Sequence, residues 1–292
     1  MDIQSWKNAG QYFTYKERHQ IFYQFGGNGE NLILLHGFPT SSWDWNKIWP
    51  ELTERFKVFA PDFIGFGYSD KPKKYTYSIH DQADLIENFL ADHSIESLHM
   101  LAHDYGDSVA QELLARHNER EKTGSNHCRI KSLVLLNGGL FPETHRARPV
   151  QKALIGPLGF LVNRLLNKKS LHRSFNRIFG PNTQPTQQEI DEFYSLIVHN
   201  GGKNLFYKLI RYMSDRIEHR GRWVKALQET NIPVRLINGS FDPVSGHHMT
   251  IRYNELVDDA DIVHLENIGH YPQTEAPHQV IEHYLSFIQT IS

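Results

Sequence analysis

The hydrophobic positions of this chain fall into two rhythms. Short, largely apolar runs recur, and between them apolar residues return every three or four positions. The first pattern predicts strands buried on both faces, the second amphipathic helices. Asn31-Leu-Ile-Leu-Leu35, Lys57-Val-Phe-Ala60, Leu98-His-Met-Leu-Ala102, Ile130-Lys-Ser-Leu-Val-Leu-Leu136, Ile232-Pro-Val-Arg-Leu-Ile237 and Ile262-Val-His-Leu265 are runs of the first kind. Upstream, Tyr12, Phe13 and Tyr15, then Ile21, Phe22 and Phe25, predict two further strands that close on the turn Gly26-Gly27-Asn28-Gly29. Helical spacing appears in Ile79, Ala83, Ile86 and Leu90 after Ser78, in Val109, Ala110, Leu113 and Leu114, and in Val280, Ile281, Tyr284, Leu285 and Ile288. The charged stretch from His117 to His127 reads as a surface loop.

Strands that alternate with helices predict an α/β fold with a mostly parallel central sheet flanked by helices. The alternation stops after Asn137-Gly138-Gly139 and resumes near 227. Residues 1–138 and 227–292 therefore form the predicted core domain, and 139–226 an inserted helical cap. Open parallel sheets bind ligands at the carboxyl ends of their strands. His36, Asp104, Asn137 and Asp242 all fall there.

One of these positions is unusual. Ala102-His103-Asp104-Tyr105-Gly106 lies between a buried strand and a helix start, with small residues on either side of an acid. A sharp strand-to-helix turn needs small neighbours, because the two backbones nearly touch, and its apex side chain is held out above the helix N-terminus. Taken alone, Asp104 is a helix N-cap. Taken with Asp242 in Asn238-Gly-Ser-Phe-Asp-Pro243 and His270 in Gly269-His-Tyr-Pro272, it becomes the nucleophile of a triad in the order nucleophile, acid, histidine. An ionised carboxylate attacks carbon unaided and forms an ester. His270 is then the general base that deprotonates water, and Asp242 orients it. The backbone N–H groups of Phe38 and Tyr105 are the candidate oxyanion hole.

Composition narrows the setting without changing this picture. A net charge of −2 over 292 residues gives no reason to expect nucleic acid, and Cys128 as the only cysteine excludes an intrachain disulfide or a thiolate metal cluster. His247 and His248 are adjacent, so they do not share a helix face as zinc ligands do, and no metal or cofactor is expected. The absence of a signal-like N-terminus and of a membrane-length apolar run predicts a cytoplasmic protein that acts on a small, largely apolar substrate plus water. The cap holds Lys168, Lys169, Arg173, Arg177, Arg211, Arg216, Arg220, Arg222 and Lys225, read as a solvated basic face, with attraction of anionic or amphiphilic substrates as the sharper alternative.

The motifs HGFP at 36–39, PDFIGFGYSDKP at 61–72, HDYG at 103–106, FDP at 241–243 and GHYPQTEAP at 269–277 resemble the α/β-hydrolase superfamily, in the branch that holds epoxide hydrolases and haloalkane dehalogenases. The resemblance implies the α/β-hydrolase fold and an Asp nucleophile. Dehalogenases of this kind carry Asn after His-Gly and Trp after the nucleophile to hold the departing halide, whereas this chain has Phe38 and Tyr105. Epoxide hydrolases protonate the opening oxygen with cap tyrosines, for which Tyr207, Tyr194 and Tyr212 are candidates, with Asn137, His36 and Trp223 as further substrate-binding residues. The expectation is an epoxide hydrolase-like enzyme. A haloalkane dehalogenase or a non-catalytic, ligand-sensing protein is the alternative, and an ester, lactone or thioester hydrolase is disfavoured because an Asp apex attacking an acyl carbon would give an anhydride.

Overall fold

The computed structural model describes every residue except 126, 157, 166 and 292. Its centre is one sheet of eight strands: β1 (Gln11–Tyr15), β2 (His19–Gly26), β3 (Glu30–Leu35), β4 (Phe56–Pro61), β5 (Ser97–His103), β6 (Arg129–Leu136), β7 (Val234–Gly239) and β8 (Asp261–Leu265). They lie in the order β1-β2-β4-β3-β5-β6-β7-β8. The first two strands pair antiparallel, β2 also runs antiparallel to β4, and every later pairing is parallel. The apolar runs predicted from sequence thus form β3 to β8, with β8 at one edge and the rest inside the sheet. Leu32, Leu34, Leu35, Leu101, Leu133 and Leu135 are fully enclosed there, because helices cover both faces.

On one face lie the helices Ile79–Asp92 and Tyr105–Thr123, and on the other Ile3–Ala9 and Pro277–Ile291. Ser78 caps the first of these by accepting from the Asp81 N–H at 3.1 Å. The helix Tyr105–Thr123 runs through most of the stretch read from sequence as a surface loop and stops at Gly124, which takes φ 66°. Its charged end is helical because Glu, Arg and Lys are good helix formers and no breaker intervenes before that glycine. The helix Ile3–Ala9 was not predicted. Its main anchor is Trp6, which is buried edge-on against Trp43 and Trp49.

Between β6 and β7 the described residues form helices and irregular connections with no strand. The helix Arg220–Glu229 spans the predicted cap boundary and lies against Tyr105–Thr123, where Trp223 donates from its indole N–H to Glu112 at 2.8 Å. Among the described residues no helix is long and apolar enough to cross a membrane.

The junction of β5 and the helix that follows it is tightly packed. Asp104 takes φ 46° and ψ −98°, in the region sparsely populated by side-chain-bearing residues. A Cβ on Gly106 would lie 2.1 Å from the Leu35 carbonyl oxygen, so the helix start and β3 are in contact at that residue. Gly106→Ala is expected to lower stability by about 1–3 kcal/mol through overpacking, measured by urea or thermal unfolding. An unchanged midpoint would show that the two backbones do not need this closeness.

Candidate active site

Asp104 is lifted by this turn out of the end of β5, its own N–H donating to the Leu136 carbonyl at 3.2 Å. Its Oδ2 accepts from the Phe38 backbone N–H at 3.2 Å and lies 3.9 Å from His270 Nε2. The other ring nitrogen of His270, Nδ1, donates to Asp242 Oδ2 at 2.7 Å. Asp242 is fixed in turn. The same oxygen accepts from Asn137 Nδ2 at 3.1 Å and Ser245 Oγ at 2.8 Å, and Oδ1 accepts from the Val244 N–H at 2.8 Å. Asn137 also accepts from the Gly239 N–H at 2.7 Å, which ties the ends of β6 and β7 together. The three loops chosen from sequence therefore converge, and Asn137 belongs to the acid's support.

Burial by itself raises Asp104, but the neighbouring His270 and the charge of Arg216 outweigh it and hold the carboxyl well below its usual range. Burial by itself lowers His270, and the neighbouring Asp242 and Asp104 outweigh it and raise the imidazole above its usual value. His103, under the turn, donates from Nε2 to the His270 carbonyl at 2.7 Å and is pushed down to about 3, chiefly by burial. It stays neutral and steadies the His270 loop.

Asp104 and His270 open onto a cavity of about 340 Å³. Phe38, Pro39, Leu154, Leu171, Phe175, Ile178, Ile197, Phe206 and Val244 supply its apolar lining, with Tyr194, Tyr212, Arg148, Arg177 and Lys203 among the polar members. Of the candidate binding residues, Tyr194 and Tyr212 reach this cavity. Tyr207, His36, Asn137 and Trp223 are not part of its wall. His36 is wholly buried and accepts from the Phe63 N–H at 3.0 Å, so it shapes the loop that carries Phe38. Trp223 is spent on Glu112, as described. The ring of Tyr105 packs among Phe63, Phe66 and Tyr212 and is absent from the lining, while its backbone N–H begins the helix beside Asp104.

The predicted basic face of the cap divides in two. Lys168 pairs with Asp191, Arg220 with Glu143, Arg222 with Glu112 and Glu119, and Lys225 with Glu229. Arg216 does not belong to a solvated face. It is 2 % exposed and reaches Asp104. No periodicity signals this, because the helix Tyr212–Glu218 is short and mixed in character, with Asp215 and Ile217 on either side of the arginine.

A parallel sheet with a helical insertion, and with acid, acid and histidine at the ends of β5, β7 and β8, defines an α/β hydrolase. The chain belongs to the alpha/beta hydrolase fold family, whose model matches residues 30–277. It is 42 % identical to the mesoderm-specific transcript protein of Mus musculus, over 99 % of this chain and 88 % of that one. Among solved structures it is similar to the epoxide hydrolase CorEH, with a TM-score of 0.75 at 22 % identity over 97 % of this chain and 99 % of that one. It is also similar in fold to the haloalkane dehalogenase DbeA of Bradyrhizobium elkani, with a TM-score of 0.79 at 19 % identity over 97 % of this chain and 98 % of that one.

A second acid lies behind the site. Asp107 is completely buried, both its oxygens are shut off from solvent, and a Cβ on Gly138 would lie 2.1 Å from its Oδ2. Burial, then the charge of Asp104, raises it well above the carboxylate range. The folded state therefore holds a proton that the unfolded state gives up near pH 4, and stability falls as pH rises from there. Asp107→Asn removes that loss. Its melting temperature is expected to exceed that of the wild type at pH 8, with the difference shrinking towards pH 4. A constant difference across that range would contradict a protonated Asp107.

Proposed function

We propose that this hydrolase works through Asp104 as nucleophile, forming a covalent alkyl-enzyme ester, and that it opens epoxides in preference to displacing halide. The observation that carries this reading is the position of the Asp104 carboxylate, ionised at the floor of an apolar cavity between the Phe38 N–H and the Asp242-backed His270. In the first step a carboxylate oxygen attacks a substrate carbon and the carbon–oxygen bond of the epoxide breaks. In the second, His270 takes a proton from water, which attacks the ester carbonyl while Phe38 and Tyr105 donate backbone N–H bonds to the oxyanion. Both steps use only groups of this chain and water, so neither calls for a cofactor.

Burial and the charge of Asp104 push the Tyr212 phenol up, so it remains protonated and suits the role of acid towards the alkoxide of the opening ring. Tyr194, in the same lining, is its candidate partner. Phe38 and the enclosed Tyr105 offer no side-chain N–H to a halide, which weighs against the dehalogenase reading.

The His270→Gln variant, incubated separately with 4-nitrostyrene oxide and 1-bromohexane, is expected to gain the mass of the epoxide on the peptide that contains Asp104. An adduct from 1-bromohexane alone would name a dehalogenase. No adduct from either, with no wild-type turnover, would point to the ligand-sensing alternative.

Tyr212→Phe tests the acid. It is expected to slow turnover of the epoxide by about 10²-fold, the lower end of what general acid catalysis contributes, with KM little changed. An unaltered kcat would remove Tyr212 from the mechanism.

A further inference from the structure

Arg216 touches the carboxylate that the proposed reaction consumes. Its Nη2 donates to the Asp104 carbonyl oxygen at 2.8 Å and reaches Asp104 Oδ1 at 3.3 Å. Its Nε donates to Ser108 Oγ at 2.7 Å, one helical turn beyond the apex, and the guanidinium lies 4.5 Å from the centre of the Tyr212 ring. A Cβ on Gly139 would fall 2.5 Å from Nη1, so the chain leaves space at that residue for the cation. Cap and core are joined here by a buried charge that is held on three sides.

The two oxygens of Asp104 are therefore served differently. Oδ2 lies under the Phe38 N–H, where the carbonyl oxygen of an ester belongs, and Oδ1 lies against Arg216. We infer that Arg216 is a catalytic residue of the hydrolytic half-reaction, holding Oδ1 as the alkoxy oxygen of the ester and stabilising the charge that returns to it when the ester breaks. This rests on the reading of Asp104 as nucleophile.

The electron count follows from the geometry. In the first step an Oδ1 lone pair forms the bond to the substrate carbon, and the displaced oxygen takes the pair from the bond that breaks. The negative charge leaves Oδ1, so Arg216 opposes this step by stabilising the carboxylate being used up. In the second step the water oxygen bonds to Asp104 Cγ, its proton passes to His270 Nε2, and the charge collects on Oδ2. Collapse breaks the Cγ–Oδ1 bond. Its electron pair settles on Oδ1, which takes the proton from His270 and departs as the oxygen of the alcohol, while the water oxygen stays in the carboxyl group and gives up its remaining proton to restore the Tyr212 phenol that protonated the opened ring. A guanidinium does not give up a proton in a protein, so Arg216 acts as a fixed charge beside the departing oxygen. The cost it imposes on attack is recovered at release, where a carboxylate-derived ester is otherwise slow to break.

The test uses Arg216→Met and Arg216→Lys of the full chain with 4-nitrostyrene oxide, following adduct and product by quenched flow and intact mass. The Met variant is expected to form the alkyl-enzyme at least as fast as the wild type but to hydrolyse it ~10²-fold more slowly, the size of effect seen when one oxyanion donor is removed, so that adduct accumulates. The Lys variant, which keeps the cation, should fall between the two, and it carries the test alone if circular dichroism shows the Met variant unfolded. Slowing of both steps alike, or a variant that slows turnover without accumulating adduct, overturns the assignment. His270→Gln is run alongside. If it too forms no adduct, the failure lies with Asp104 as nucleophile and not with Arg216 alone.

Discussion

Every part of this site hangs on the backbone of Asp104. A residue with a side chain at φ 46° costs on the order of 1–3 kcal/mol and persists only where its surroundings leave no alternative. Here the surroundings are the Leu136 carbonyl that receives its N–H, the Gly106 contact with β3, and the Arg216 bond to its carbonyl oxygen. Relaxing the turn would withdraw the carboxylate from Phe38 and His270 together, since both reach the same oxygen. The parallel sheet supplies the force: β3, β5 and β6 are each enclosed on both faces, and their ends cannot move apart without opening the core.

The electrostatics of the site follow from that crowding. Asp104, Asp107, Asp242, His103, His270 and Arg216 are all buried where the ends of β5, β7 and β8 meet the helical insertion. A region this enclosed does not hold many unbalanced charges. Arg216 and His270 face two ionised acids, Asp104 and Asp242, while Asp107 and His103 are driven to their neutral forms. The neutral members are thus a consequence of which groups the backbone places closest to a partner, and Asp107, within one turn of Asp104 but without a cation of its own, is the one that keeps its proton.

Much of this was legible in the sequence, and the parts that were not share a cause. Buried strands announce themselves by unbroken apolar runs, and the elbow by small residues around an acid, because those signals are local. Asp242 and His270 could be placed because each follows a strand closely. Arg216 could not, since an arginine in a mixed helix looks the same whether it faces water or a carboxylate from a distant segment. Tyr207 and Trp223 went wrong for the same reason: cap residues are positioned by packing between segments far apart in sequence, which carries no periodic mark. The helix Ile3–Ala9 is only seven residues long and rests on Trp6 and the half-buried Ile3, too few apolar positions to make a pattern. The end of the helix Tyr105–Thr123 was hidden by its charge, which suits a solvated helix face as well as a loop.

A carboxylate at the apex gives the proposed reaction a form of timing that a hydroxyl would not. His270 is raised in the free enzyme partly by the charge of Asp104. When Asp104 becomes an ester that charge disappears, while Asp242 and Arg216 remain. The imidazole then loses one of the groups that favoured its protonated form and keeps a cation nearby, so its proton affinity falls at the stage where a free base is needed. Release of the alcohol restores the carboxylate and, with it, the raised imidazole. On this reading the nucleophile sets the protonation state of its own base, and the helical insertion contributes to the same cycle through Arg216, which it buries against the turn.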